Sequence, residues 1–199
     1  MNNTSIGRLF WMNQNNDLNP IMTSGTAFVM NSSESKFVVS ARHCFEKNSN
    51  IPENLVNLVY VYYSEDGRPQ LVQLGSPKAH SEFDLCRAPI QQTELHECGQ
   101  PDIPIKGEDV FVYGYRDDFN LGLTEPLLIK TVVSGISPRG EIILNTEGIQ
   151  GFSGGPVIGA SSGKVYSVFS KGHTSSISGQ GHMQVMPFSL TYSVKLLNF

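Results

Sequence analysis

Six residues, Gly151-Phe152-Ser153-Gly154-Gly155-Pro156, set one hydroxyl among three glycines. Glycine lets the main chain turn where a Cβ would clash, so a loop of this kind can aim backbone N–H groups inward. In acyl transfer, two preorganised N–H donors beside the nucleophile hold the developing oxyanion, and losing one costs about 100- to 1000-fold in rate. Ser153 is the candidate nucleophile, and the N–H groups of Gly151 and Ser153 are the candidate oxyanion hole.

A serine hydroxyl is a weak nucleophile alone and needs a histidine base, itself oriented by a carboxylate. Of the five histidines, only His43 directly follows a β-branched strand and small-residue turn, in Phe37-Val38-Val39-Ser40-Ala41-Arg42-His43-Cys44. Asp84, between apolar neighbours in Glu82-Phe83-Asp84-Leu85-Cys86, suits an acid at the edge of a core better than Asp66 in its Gly-Pro turn. Each segment alone has an ordinary structural explanation, as a turn, a surface histidine or a capping acid. Their combination makes the chemistry.

Other chemistries fit less well. His80, His96, His173 and His182 match no compact ligand spacing, so neither metal nor any other cofactor is expected. Cys86 and Cys98 have no histidine placed as a base. Gly151-Phe152-Ser153-Gly154-Gly155 also spells the nucleophile elbow of esterases, but there the histidine follows the serine and a helix follows the turn.

The elements that must position these residues read as β. Strand-like segments cover Thr26 to Met30, Phe37 to Ser40, Leu55 to Tyr63, Leu71 to Leu74, Val110 to Tyr115, Leu127 to Ile136, Glu141 to Asn145, Val165 to Ser170 and Met183 to Met186. Turns such as Glu65-Asp66-Gly67-Arg68-Pro69 and Ser137-Pro138-Arg139-Gly140 separate them. A stretch rich in Gln, Glu, Pro and Gly predicts a linker at 93–107, between an N-terminal unit, 1–92, and a C-terminal unit, 108–199. Leu190, Val194 and Leu197 have the spacing of a short closing helix.

At 199 residues the chain can bury one core or two small cores sharing an interface. Its 14 basic and 18 acidic residues are scattered, which argues against nucleic acid or an anionic membrane as partner. No apolar run approaches the roughly 20 residues that span a bilayer, and the first residues lack the pattern of a secretory signal. Three cysteines, Cys44, Cys86 and Cys98, cannot all pair within one chain and read as reduced thiols. A cytoplasmic setting is the expectation.

Gly25-Thr26-Ala27-Phe28, Val38 to Cys44, Phe83-Asp84-Leu85 and Gly151 to Pro156 together resemble the trypsin-like serine peptidases, in that family's His, Asp, Ser order. The resemblance covers roughly 25–187 and is nearest to the compact HtrA-like, viral or bacterial members. It implies an all-β fold of two six-stranded antiparallel barrels with the site between them, and a serine endopeptidase acting on polypeptides through His43, Asp84 and Ser153. Activation by a partner or by self-cleavage is left open.

The same resemblance implies a substrate strand along Ser170 and Gly172 and a far pocket wall at Gly181. Glu147 falls where digestive trypsins carry the acid that selects Lys or Arg, whereas Lys171 and His173 could favour an acidic side chain instead. Phe152 stands where those enzymes keep an aspartate for a freed N-terminus, so activation through that salt bridge is not expected. The competing function is a catalytically idle two-barrel module that binds extended peptides as an added strand.

Overall fold

The computed structural model describes residues 5–15, 21–32, 35–91, 94–116, 125–179 and 182–197, with the side chains of 21 and 172–188 left aside. Nearly every element is a strand. The first seven are β1 (Ile6–Met12), β2 (Ile21–Asn31), β3 (Lys36–Ser40), β4 (Asn57–Tyr63), β5 (Pro69–Gln73), β6 (Lys78–Ala79) and β7 (Cys86–Ile90), with one helical turn, α1 (Arg42–Phe45), after β3. They form a seven-stranded sheet in the order β5-β4-β1-β2-β3-β7-β6.

The remaining six are β8 (Asp109–Gly114), β9 (Leu127–Ile136), β10 (Glu141–Leu144), β11 (Pro156–Gly159), β12 (Val165–Gly179) and β13 (His182–Ser193). They close a barrel in the order β10-β13-β12-β11-β8-β9, so this unit has no unpaired edge.

The all-β architecture follows the expectation, with the second unit a closed six-stranded barrel and the first a sheet of seven strands. The first sheet carries seven strands rather than six because Lys78 and Ala79 add a two-residue pairing to Arg87 and Cys86. Three further strands have weak sequence signals. In β7, Pro89 argues against a strand, yet it lies beyond the reach of β6, and its carbonyl accepts from Gly75 N at 2.8 Å. In β11, Pro156 takes the first position, where a missing N–H is tolerated. In β1, Gly7 and Arg8 break the apolar alternation, but both faces of the strand are covered.

The closing helix is shorter than its spacing suggests. Ser189–Ser193 stays in β13 because that strand is paired on both sides, to β10 and to β12. Only Val194–Leu197 turns, as a single 3-10 helix.

One apolar cluster unites Phe28, Val39, Leu85 and Tyr60 of the first unit with Tyr115, Val168, Tyr192 and Val194 of the second. A second cluster, with Val110, Val133, Ile142, Phe152 and Phe169, fills the closed barrel. The site lies where the two units meet.

Candidate active site

α1 presents His43. It is a single turn, so the His43 N–H has no intrahelical acceptor. Asp84 supplies one: Oδ1 accepts from His43 N at 3.0 Å, and Oδ2 accepts from Nδ1 at 2.7 Å. Both carboxylate oxygens thus hold one residue, which fixes the ring and directs Nε2 away from Asp84. The Asp84 hydrogen bond, with a further contribution from Cys44, raises the His43 pKa from 6.5 to about 10. Partial burial pushes the Asp84 pKa up, but hydrogen bonds from His43 and Ser170 outweigh it and bring the carboxyl down to about 2.

The loop that carries Asp84 is organised by His80, a residue the sequence suggested only as an unconvincing metal ligand. Its Nδ1 accepts from Glu82 N and Phe83 N, both at 3.2 Å, and its ring lies 4.9 Å from that of Phe83. The turn closes with His80 N donating to Leu85 O at 2.8 Å.

Ser170, expected as part of the substrate strand, touches two of the three candidate catalytic residues. Its hydroxyl donates to Asp84 Oδ2 at 2.5 Å, and its carbonyl accepts the Ser153 hydroxyl at 2.9 Å. Among the described residues, the Ser153 hydroxyl donates to that carbonyl and not to His43. Catalytic hydrogen bonds often form only once substrate is bound, so this arrangement leaves the pairing with His43 open.

The serine loop is clamped from both units. Ser153 O accepts from Thr26 N at 2.8 Å, and Gly151 O accepts from the Thr26 hydroxyl at 2.7 Å. Gly154 N donates to Phe169 O at 2.7 Å, and Gly155 N donates to Phe152 O at 2.9 Å. Among the described residues, no main-chain acceptor takes the N–H of Gly151 or of Ser153. Gly154 has φ +87°, and a Cβ there would collide with Ser40 Oγ and Thr26 O. Gly25, at φ +146°, would bring a Cβ to 2.8 Å from Ser153 O. Both glycines are therefore required by close approach.

That approach begins with a bulge in β2. Leu9 pairs Gly25 while Phe10 pairs Thr23, which leaves Ser24 as the extra residue and turns Gly25 and Thr26 towards the serine loop. Phe152 is buried in the barrel core, with its ring against Gly114, where a Cβ would overlap it.

The substrate-pocket residues are less concentrated. Glu147 is exposed, and Gly172 continues β12. Gly181 lies outside the described residues. Ser189 is the residue opposite Gly172. It is buried, and its hydroxyl donates to Thr146 O at 2.8 Å, which ties that position to the segment before Glu147.

Cys44, Cys86 and Cys98 are all buried free thiols. Among the described residues no cluster of His, Cys, Asp and Glu could hold a metal ion, and no helix is long and apolar enough to cross a membrane.

A seven-stranded sheet packed on a six-stranded barrel, with the candidate site between them, is a chymotrypsin-like β fold. Residues 25–168 match the trypsin-like peptidase domain, and the chain belongs to that family. The serine endoprotease from Yersinia pestis superposes with a TM-score of 0.62 at 14% identity, covering 99% of this chain and 61% of that one. The HtrA-type protease AlgW, solved with a decapeptide, gives 0.61 at 17% identity, covering 98% and 62%. At these identities the likeness is one of fold, and this chain spans less than two thirds of either neighbour's length. No curated protein matches it in sequence.

Proposed function

We propose that the chain is a serine endopeptidase in which His43 takes the Ser153 proton through Nε2. The serine oxygen attacks the scissile carbonyl, and the N–H groups of Gly151 and Ser153 receive the oxyanion. His43 then passes the proton to the leaving amine, and water, deprotonated by His43, clears the acyl-enzyme. Asp84 holds the ring and stabilises the imidazolium. The observation that carries this reading is the two-point grip of Asp84 on His43, at 3.0 and 2.7 Å, on the element next to the serine loop.

The substrate is a polypeptide, which would add beside Ser170 and Gly172 as an extended strand; the decapeptide held by the HtrA-type neighbour supports that class. Glu147 is the residue we assign to selection of a basic side chain before the cut. A peptide panel varied at that position tests it: cleavage after Glu or Leu but not after Lys or Arg would remove Glu147 from this role.

The Ser153 hydroxyl bonded to Ser170 O favours the second reading, an idle peptide-binding module. A fluorophosphonate probe separates the two. Labelling of the folded chain at Ser153, abolished in Ser153→Ala, is the expected result. Absence of labelling, with and without added peptide, would establish the idle module.

A further inference from the structure

Thr26 is fully buried, yet its hydroxyl is used twice. Oγ1 accepts from Tyr115 N at 3.0 Å and donates to Gly151 O at 2.7 Å. Thr26 comes from β2 of the first unit, whereas Tyr115 and Gly151 belong to the second. One side chain therefore joins the end of β8 to the serine loop across the interface.

The bond to Gly151 matters because of what it leaves fixed. The peptide between Gly151 and Phe152 has its carbonyl on Thr26 Oγ1 and its N–H on Ile149 O at 3.1 Å. With both ends held, that peptide plane cannot rotate without breaking two hydrogen bonds in a buried setting. Two residues on, Ser153 O is held by Thr26 N at 2.8 Å. Thr26 thus holds the carbonyls of both residues whose N–H groups are the candidate oxyanion donors. Gly151 itself sits at φ +88° and has no Cβ to limit its rotation, so orientation has to come from such bonds.

We propose that Thr26 is a positioning residue for the oxyanion hole: its hydroxyl locks the Gly151–Phe152 peptide so that the N–H groups of Gly151 and Ser153 stay convergent. This rests on the peptidase reading of the serine loop. Valine has the shape of threonine without the hydroxyl, so Thr26→Val leaves the Tyr115 amide and the Gly151 carbonyl buried without their partner and creates little cavity. Serine keeps the hydroxyl.

The test combines fluorophosphonate labelling of Ser153, peptide kinetics and amide hydrogen exchange on the full chain. In Thr26→Val, labelling and kcat fall about tenfold or more while KM stays within about twofold, because the oxyanion contact that the clamp supports is made only in the transition state. Exchange at the Tyr115 amide speeds up by a similar factor. Thr26→Ser restores all three. A folded Thr26→Val that labels, turns over and exchanges like the wild type overturns the proposal. So does a Tyr115 amide that exchanges freely in the wild type, a result that needs no variant to fold. If the wild type does not label, the peptidase reading fails, and unchanged exchange in Thr26→Val would then remove the clamp independently.

Discussion

Ser170 donates its hydroxyl to Asp84 Oδ2 at 2.5 Å, across the interface between the two β units. The strand proposed to pair with substrate therefore also holds the carboxylate that orients His43, and its Ser170 carbonyl accepts the Ser153 hydroxyl. The proposed substrate pairing along β12 would therefore be mechanically joined to the geometry of His43.

Replacing Ser170 by alanine removes one donor from Asp84 while the main-chain carbonyl stays. A hydrogen bond to a charged group is worth about 1.5–3 kcal/mol, so kcat should fall roughly 10- to 100-fold. KM should move little, because strand pairing uses the main chain. A KM increase with kcat unchanged would assign Ser170 to substrate binding alone.

His43 must be neutral to act as a base, and its pKa is raised from 6.5 to about 10. The acid limb of kcat/KM should therefore have its midpoint above 6.5, with activity rising towards alkaline pH. In Asp84→Asn the midpoint should drop to 6.5 or below, and kcat should fall by about 10⁴ as the ring loses its orientation.

Stability should follow a different pH course. A histidine whose folded pKa is raised contributes fully below 6.5 and loses that contribution as pH climbs towards about 10. A carboxylate held down contributes fully above 3.8 and loses it as pH falls through about 2. Both contributions are complete between pH 3.8 and 6.5, so the Tm difference between wild type and His43→Ala should be largest there. Activity should be greatest outside that window.

Phe152 is 1% exposed within the barrel core. Its replacement by alanine should cost about 3–5 kcal/mol, lowering Tm by about 10 °C, with a cavity beside Ser153. Phe152→Leu should cost far less. Equal Tm values for the two variants would mean that the side chain does not pack as described.

His80 builds the turn that aims Asp84, so His80→Ala should lower kcat by about tenfold, since two amides lose their acceptor. The fold should survive, because the turn keeps its main-chain bond from His80 N to Leu85 O. Unchanged pH profile and kcat would make the ring merely a neighbour of Phe83.

The sequence by itself determined the candidate residues of the site and much of the fold. Three glycines around one serine, a histidine after a β-branched strand and an aspartate in an apolar setting are local patterns, because each is enforced by nearest-neighbour backbone needs. Strands such as Leu127–Ile136 were legible for the same reason, whereas Pro89 and Gly7 obscured theirs. The tertiary structure alone decided what the side chains do for one another. Thr26 reaches Gly151 over 125 residues of chain, and Ser170 reaches Asp84 over 86. It also placed Ser189 opposite Gly172. Strand register and hydrogen bonds across the interface depend on how two sheets pack, and no local run of residues encodes that packing.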